Sequence, residues 1–333
     1  MAPTTYARIG ALAATLALTG SLCACGATPV ATENASGGTS TPASGNYPMT
    51  VDDCGTTVTV EEAPRKVLTI GQAAVGLLDA AGASDRIVAR SGEFGAELPP
   101  GLRTPPTSST ILDPADPKAE AILDSGADTV VGYGLFEAEP SDLSKAGITL
   151  LTVQGECGHD TGDSGPGLGI DVVPADVRRL GTVFGTSEVA EKSAAGLEAE
   201  IERLTTRKGS GTAAWVYYFG ATDPLSAYGG TGIAHDVLAR TGLTNVFASQ
   251  KKTYVETSPE ALLAQDPDWI VLSYGGYGES KEAAEAKFRA EKGAATLSAV
   301  KNDRIILVPS DSSAPSPRVV EALKAVADAV TGA

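Results

Sequence analysis

One helix-to-strand unit occurs twice in this chain, and no other sequence feature limits the possible folds as strongly. Residues 118–131 read KAEAILDSGADTVV and residues 259–272 read PEALLAQDPDWIVL. When Glu260 is set on Glu120, an alanine, a leucine, an aspartate and a valine coincide further along. A second pair, LLDAAGASDRIV from residue 77 and VLARTGLTNVF from residue 237, occurs in the same order. Any two helix–strand units resemble each other to some degree, but two ordered pairs favour two successive α/β lobes of similar construction.

Short apolar, β-branched runs alternate with helical patterns through the same region. The runs are KVLTI (66–70), IVAR (87–90), DTVVGY (128–133) and ITLLTV (148–153), followed by AAWVYYF (213–219), NVFA (245–248), DWIVLSY (268–274) and RIILVP (304–309). Helical segments that separate apolar strands are typical of parallel sheets with helices packed on their faces. The sequence therefore predicts an α/β fold with two parallel-sheet lobes, residues 47–172 and residues 209–333.

A helical connector, residues 173–208, is predicted between the two lobes. Its apolar side chains recur at helical spacing: Val173, Val177, Leu180 and Phe184, then Ala190, Ala194, Leu197, Ile201 and Leu204. A helix from residue 188 to residue 208 would be about 31 Å long at 1.5 Å per residue. One helix of that length could cross the back of both lobes and hold them at a nearly constant separation.

The first 46 residues are predicted to be an export signal and a linker. An uncharged run, residues 9–22, follows Arg8 and is too short to span a bilayer, but it suits the apolar region of a secretory signal. The LCACG that follows resembles a bacterial lipobox, which predicts a signal peptide over residues 1–24 and a lipid on Cys25. A plain signal peptide with an incidental cysteine is the alternative. Residues 25–46 are poor in large apolar side chains and would form a flexible linker with a reach of about 25 Å.

The cysteines favour a structural disulfide over a catalytic or metal-binding site. With Cys23 removed and Cys25 lipidated, Cys54 and Cys157 form an even pair in an oxidising compartment, which favours a disulfide. A catalytic or metal-binding pair of Cys157 and His159 is the less favoured alternative, since the chain has only 2 histidines.

The formal charge of −16 argues against binding to nucleic acid or to an anionic membrane surface through bulk charge.

The folded region as a whole resembles a known family, the helical-backbone (class III) substrate-binding proteins of ABC importers. The segments that carry the resemblance occur in the family's order over about residues 47–330: YPMTVDDCGTTVTVEEAPRKVLTIG, LLDAAGASDRIVA, LDPADPKAEAILDSGADTVVGYG, SPEALLAQDPDWIVL, LSAVKNDRIILVPS and SPRVVEALKAVADAV. The segment with DDCG is most similar to actinobacterial iron-siderophore receptors. The resemblance implies a monomeric lipoprotein on the outer face of the cell membrane. It would bind a ferric siderophore between its lobes and deliver it to the permease and ATPase subunits of an importer. Haem, cobalamin or a deazaflavin-cofactor precursor are alternative ligands within the family.

Candidate binding residues follow from the position of the loops, because ligands of open parallel sheets bind outside the carboxyl ends of the strands. The candidates are Gln72, Arg90, Phe94, Tyr133, Phe136, Tyr218, Tyr228, Tyr274, Tyr277 and Arg318. Aromatic faces would cover the apolar rim of a chelate, and guanidinium groups would hydrogen-bond its oxygens. A solvated strand end is the alternative for Arg90, and pairing with the first turn of the last helix is the alternative for Arg318. Tyr217 and Tyr218 should not both face the cleft, because strand neighbours alternate.

Other classes of site fit the sequence less well. His159 and His235 fall in unrelated segments, so a bare-metal site is not expected, and no cofactor is expected beyond the bound chelate. Members of the family carry an acid on each lobe that pairs with permease arginines. The matching position is Asp236 in the second lobe but Gly76 in the first, where Asp79 could substitute. No phosphate loop or nucleophile elbow occurs, so we expect a binding protein and not an enzyme; a sensor that does not transport its ligand is a further alternative.

Overall fold

The computed structural model describes residues 46–159 and 168–332. The predicted signal peptide, nearly all of the predicted linker and the predicted lipidation site Cys25 lie outside these residues. Within them, no helix is both long enough and apolar enough to cross a membrane. We refer to residues 47–172 as the N-lobe and to residues 209–333 as the C-lobe, the limits proposed from the sequence.

The N-lobe consists of an antiparallel hairpin followed by a parallel sheet. Its strands are β1 (Met49–Asp53), β2 (Thr56–Val60), β3 (Val67–Ile70), β4 (Ile87–Ser91), β5 (Thr110–Asp113), β6 (Thr129–Gly132) and β7 (Thr149–Thr152), and its helices are α1 (Gln72–Ala81), α2 (Ala119–Asp124) and α3 (Pro140–Lys145). Within the described residues, the sheet has the order β5-β4-β3-β6-β7, and every neighbouring pair is parallel. Strands β3 and β6 are buried along their whole length, as expected for strands covered on both faces.

The C-lobe repeats this arrangement with additions. Its strands are β8 (Thr212–Tyr217), β9 (Ser226–Tyr228), β10 (Thr244–Asn245), β11 (Tyr254–Glu256), β12 (Trp269–Tyr274) and β13 (Ile305–Pro309), and its helices are α6 (Gly232–Arg240), α7 (Pro259–Gln265), α8 (Lys281–Ala290), α9 (Ser298–Lys301) and α10 (Val319–Thr331). The order is β11-β9-β8-β12-β13, with β10 paired to β8. Strands β10, β12 and β13 are parallel to their neighbours, whereas β9 is antiparallel to both β8 and β11.

The repeated sequence unit occupies the same place in both sheets. In the N-lobe it forms α2 and β6, and β6 lies between β3 and β7. In the C-lobe it forms α7 and β12, and β12 lies between β8 and β13. The predicted α/β fold with two sheet-based lobes is therefore confirmed. The sequence did not predict the hairpin strands β1 and β2 or the short strands β5, β9 and β11, and of NVFA only Asn245 belongs to a strand.

Two helices, α4 (Val172–Val183) and α5 (Ser187–Thr205), connect the lobes. The predicted apolar face is buried in both, except that Leu197 is only partly buried. Helix α5 is about 28 Å long at 1.5 Å per residue, and it packs against α4, α1 of the N-lobe and α10 of the C-lobe. At the crossing of α4 and α5, a Cβ atom on Gly181 would lie 2.1 Å from the Cβ of Ala190. The separation of the two lobes therefore depends on a helix contact that has no room for one additional methyl group.

The hairpin is attached to the N-lobe by a disulfide and by a buried carboxylate. Cys54, in the turn between β1 and β2, is bonded to Cys157 beyond the end of β7. Next to the disulfide, the carboxylate of Asp53 accepts hydrogen bonds from the backbone and hydroxyl of Thr152 at 2.8 and 3.0 Å, and from Arg179 of α4 at 2.9 Å. The hairpin is therefore bound to both the edge strand and the connecting helices.

Replacing Gly181 with alanine should destabilise the protein by about 1–3 kcal/mol, because the new methyl group overpacks the contact with Ala190. The matched control is Gly196→Ala on the exposed side of α5, where an added Cβ meets nothing within 4 Å. That change should stabilise the protein by about 1 kcal/mol through helix propensity. Urea unfolding curves measure both values, and equal effects of the two substitutions would contradict the close helix crossing.

Replacing Cys54 and Cys157 together with alanine should lower the free energy of unfolding by roughly 2–5 kcal/mol, because the disulfide closes a long loop in the unfolded chain. The sequence separation of the two cysteines is 103 residues. Thermal unfolding with and without a thiol reductant provides the measurement. The reductant should lower the melting temperature of the unchanged protein and leave that of the double variant unaltered.

Candidate ligand-binding cleft

A cleft lies between the lobes, where the carboxyl ends of the strands in the two sheets face each other. Its walls begin at the ends of β3, β4 and β6 on the N-lobe side and at the ends of β8, β12 and β13 on the C-lobe side. Its aromatic lining residues are Phe94, Tyr133, His159, Tyr217, Tyr218, Phe219, Tyr228 and Tyr254. The water-accessible volume is about 190 Å³. This is below the 300–1,000 Å³ typical of small-molecule sites, so a bulky ligand would project from the opening or displace the exposed rims.

The aromatic rings form a continuous wall that crosses from one lobe to the other. His159 of the N-lobe stacks on Tyr254 of the C-lobe, with ring centroids 4.9 Å apart and planes at 28°. The His159 ring also lies 5.4 Å from the ring of Tyr133, while Tyr217 and Tyr228 pack together at 4.7 Å. Such contacts leave ring faces and edges toward the cleft, which suits a guest with apolar and polar surface side by side.

The phenols in this wall are uncharged hydrogen-bonding groups at neutral pH. Burial raises the pKa of Tyr217, Tyr228 and Tyr254 well above the ordinary value, and burial together with the nearby Asp116 carboxylate does the same for the pKa of Tyr133. Tyr133 donates to Asp116 at 2.9 Å, and the hydroxyl of Tyr228 lies 2.7 Å from that of Ser313. The cleft therefore offers O–H groups, not phenolates.

Carboxylates, and not arginines, are the charged groups of the cleft wall. The two predicted arginines do not line it, and each is paired with an acid that does. Arg90 pairs with Glu93 at 2.6 Å, and Arg318 pairs with Asp311 at 2.7 Å and also with Glu321 in the first turn of α10. Burial raises the pKa of the Glu93 and Asp311 carboxyls despite these partners.

Four of the predicted residues line the cleft. Gln72 and Phe94 are in the lining, and the Gln72 amide donates to the carbonyl of Glu97. Phe94 has 47% of its surface exposed at the opening. Tyr133 and Tyr228 have been described above. Phe94, Tyr133 and Tyr228 belong to loops or strand ends that the sequence identified, and Gln72 is the first residue of α1.

Tyr217 and Tyr218 both contribute to the lining, yet their rings point to opposite sides of the sheet, as strand alternation requires. Tyr218 donates to Glu291 at 3.0 Å, and the Lys287 ammonium lies 3.8 Å from its ring centroid. It thus packs toward α8, whereas Tyr217 packs on Tyr228. Tyr218 therefore belongs to the cleft lining while its hydroxyl is engaged by Glu291.

The remaining three predicted aromatics lie around the cleft and not in its lining. Phe136 packs 6.0 Å from Tyr133 and 5.6 Å from His159, measured between ring centroids, and is 47% exposed. Tyr274 and Tyr277 are partly buried against the core of the C-lobe. Phe136 extends the aromatic wall outward, while the two tyrosines support the loop that follows β12.

The sequence did not identify several cleft residues that the fold places there. Glu156 and His159 come from the segment between β7 and α4, where the sequence favoured a disulfide and offered a catalytic or metal-binding pair of Cys157 and His159 only as the alternative. Tyr254 is carried by β11, a strand too short for a periodic signal, and its hydroxyl donates to both oxygens of Glu156 at 3.3 Å. The sequence signal for this strand is the run Thr253, Tyr254 and Val255, three residue types that are common in strands.

Both candidate docking acids are engaged within the protein. Asp79 is 7% exposed and accepts hydrogen bonds from the Ser84 hydroxyl and from the backbone of Arg103 and Thr104, each at 2.9 Å. Asp236 accepts from the backbone of Ile170 at 2.8 Å and from Arg240 at 2.9 Å. Asp79 is thus an interior carboxylate of the N-lobe, whereas the Asp236 side chain retains 24% exposure.

Two glycine-containing loops meet across the cleft. The loop after β4 and the loop after β12 touch at Gly95 and Gly278, where a Cβ on Gly278 would lie 2.9 Å from the Gly95 carbonyl oxygen. Gly278 has φ of 85°, which already favours glycine.

Among the described residues, no group of three or more histidine, cysteine, aspartate or glutamate side chains is placed to hold a metal ion.

Replacing Gly278 with alanine should push the two loops apart, because the new methyl group collides with the Gly95 carbonyl. The control is Gly275→Ala, at a similar φ of 82° but with its nearest atom 4.0 Å away. Hydrogen–deuterium exchange should rise in the peptide over residues 92–96 for Gly278→Ala and not for Gly275→Ala. Equal exchange in the two variants would show that the loops do not depend on this contact.

Comparison with known proteins gives a family match and several matches of fold. The family described as periplasmic binding protein matches residues 67–312. A comparison with curated protein sequences gave no match.

Three solved structures illustrate the likeness of fold. A protein of the ABC-type Fe³⁺-hydroxamate transport system of Saccharomonospora viridis is 24% identical, with 85% of this chain and 99% of that chain covered and a TM-score of 0.74. A periplasmic haem-binding protein of Pseudomonas aeruginosa is 19% identical, with 81% and 94% covered and a TM-score of 0.64. The periplasmic vitamin B12-binding protein of Vibrio cholerae is 20% identical, with 80% and 96% covered and a TM-score of 0.59.

At these identities the structures show a shared fold and do not identify the ligand. The family match spans both sheets and both connecting helices, and so most of the chain. The chain therefore belongs to the periplasmic binding protein family, the non-enzymatic substrate-binding proteins of ABC importers, which work outside the cytoplasm.

Proposed function

We propose that this protein captures a ferric siderophore between its lobes and delivers it to the permease and ATPase subunits of an importer. The observation that carries the proposal is the aromatic wall that both lobes build together, from Tyr133 and His159 on one side to Tyr217, Tyr228 and Tyr254 on the other. A guest held on this wall contacts both lobes at once. Its binding energy would therefore favour the closed arrangement of the lobes.

The chemistry of the wall suits an iron chelate. Ring faces can cover the carbon framework of a siderophore. The neutral phenols of Tyr217 and Tyr228, whose protons are not committed to a carboxylate, can donate hydrogen bonds to the oxygen atoms around the metal. The exposed rims at Phe94 and Phe219, 47% and 62% exposed, could pack on the part of the ligand that projects from the opening. The protein would supply a surface for the chelate and leave the iron coordination to the siderophore.

Haem is the second candidate, because His159 lies in the cleft between Tyr133 and Tyr254. Histidine and tyrosine are both common haem ligands. Haem carries two propionates, however, and the charged groups that line the cleft are acids. Cobalamin and a deazaflavin-cofactor precursor, the remaining ligands considered for this family, offer no specific match to the residues of the wall.

The place of the protein in the cell is part of the same proposal. Lipidation of Cys25 would anchor the protein to the outer face of the membrane, and residues 25–46 would give it about 25 Å of reach. Of the two candidate docking acids, only Asp236 keeps an exposed side-chain surface, so contact with the permease would be unequal between the lobes. A sensor that keeps its ligand would need no docking surface.

Ligand binding should quench the fluorescence of Trp215. The indole nitrogen donates to the hydroxyl of Ser273 at 2.9 Å, and the ring packs 5.9 Å from Tyr228; both partners line the cleft. A soluble form beginning near Asn46 is titrated with ferric hydroxamate, ferric catecholate, ferric citrate, haemin and cobalamin. Ferric siderophores should bind with dissociation constants below about 10 μM, or roughly −7 kcal/mol.

The control for this signal is the second tryptophan of the chain. Trp269 lies at the amino end of β12, away from the cleft, with Arg304 over its ring. Trp269→Phe should keep the quenching, and Trp215→Phe should lose most of it. Binding of haemin or cobalamin alone would replace the siderophore proposal by that ligand, and failure of all five would contradict capture of any such chelate.

A further inference from the structure

Apart from His159, whose Nδ1 lies 2.9 Å from a carboxylate oxygen of Glu156, the charged residues that line the cleft have one sign. They are Glu93, Glu156, Glu279 and Asp311. Within the described part of the chain, no lysine or arginine belongs to the lining. The protein as a whole, these four acids included, has a formal charge of −16. The potential that a ligand meets on its approach is therefore negative, and a narrow opening with low-dielectric walls strengthens such a potential.

Glu93 is built into the wall with one carboxylate oxygen that lacks a hydrogen-bond partner. The residue is 6% exposed, and its Oε2 binds Arg90 at 2.6 Å. Its Oε1 is buried and has no hydrogen-bond partner among the described residues. A buried carboxylate oxygen without a donor is costly, so it marks a place where a donor on a ligand would be stabilised.

The loop that carries Glu93 is held in an unusual backbone conformation. Gly92, Phe94 and Gly95 have φ of 68°, 51° and 86°, in the region that non-glycine residues avoid. Backbone hydrogen bonds from Gly92 to Ala115 and from Phe94 to Pro114, at 2.8 and 2.7 Å, hold the loop there. Strain of this kind persists where the surrounding structure enforces it, often at ligand sites.

Asp311 provides a similar carboxylate from the opposite lobe. It is 6% exposed, and both of its oxygens accept from Arg318, at 2.7 and 2.9 Å. Arg318 is shared with Glu321, so this group of three carries a net negative charge. In both lobes the arginine stands outside the lining and the acid stands in it.

We propose that the cleft selects iron chelates that carry a positive charge, with a protonated amine or another cationic donor directed to the carboxylates of Glu93 and Asp311. The proposal rests on the proposed function and names its ligand class. Ferric chelates with net negative charge, such as catecholates, citrate and haem with its propionates, are disfavoured by the same groups. The affinity for an uncharged trihydroxamate should lie between the affinities for the positively and negatively charged chelates.

The test is a series of ligands that differ chiefly in charge. A linear ferric trihydroxamate with a free terminal amine is compared with its N-acetyl and N-succinyl derivatives, which carry charges of about +1, 0 and −1 at neutral pH. The full chain, purified in detergent, should bind each member about tenfold more tightly than the next, in the order amine, acetyl, succinyl. The preference should shrink when salt is raised from about 0.02 M to about 0.5 M.

Two substitutions locate the preference. Glu93→Gln and Asp311→Asn should each reduce the amine-to-acetyl ratio from about tenfold to about threefold, since each removes one of the proposed partners. The matched control is Asp328→Asn on helix α10, which changes the net charge equally and breaks the ion pair of Asp328 with Arg207, away from the cleft. It should leave the ratio unchanged.

The outcomes distinguish the selection of ligands by charge from the capture of siderophores as such. Equal affinities, or tighter binding of the succinyl derivative, would overturn the charge selection and leave siderophore capture standing. Failure of all three chelates to bind would overturn both. The series on the unchanged protein does not depend on either variant folding, so loss of a buried arginine partner cannot obscure the result.

Discussion

The contact between α4 and α5 is the constraint on which the rest of the structure depends. Helix α5 packs on α1 from one lobe and on α10 from the other, and α4 closes on it at Gly181 and Ala190 without space for a methyl group. Because packed helices deform little, this contact favours a nearly constant distance between the carboxyl ends of the two sheets. The cleft is a consequence of this spacing. Its aromatic wall is continuous because Tyr254 of one lobe reaches His159 and Glu156 of the other.

Much of the fold could be predicted from the sequence, because it depends on periodicity. The apolar faces of α4 and α5, the repeated unit that forms β6 and β12, and the division into two lobes all follow from patterns that extend over ten or more residues. The antiparallel strands β9 and β11 could not be predicted in this way, because each contains only three residues. These two strands nevertheless carry Tyr228 and Tyr254 into the cleft.

The position of the cleft was predictable, but the charge of its lining was not. The loops after the strands line the cleft, and the arginines in them suggested anion binding. Ion pairing reversed that interpretation, since Glu93 and Asp311 hold Arg90 and Arg318 out of the lining. Which member of such a pair faces a cavity depends on loop geometry, here on a phenylalanine with positive φ, and residue types alone do not reveal it. The resulting wall combines neutral phenols with carboxylates, a combination unlike that expected for an anionic guest.

The disulfide has a consequence for the newly synthesised chain before export. Cys157 directly follows Glu156 and precedes His159 by two positions, so the bond to Cys54 ties the segment that carries both cleft groups to the first hairpin. Disulfides persist in oxidising compartments and are rare in the cytosol. A newly synthesised chain that has not yet been exported lacks this tie. Folding of the cleft wall is therefore completed only after translocation, when oxidation forms the disulfide that fixes this segment.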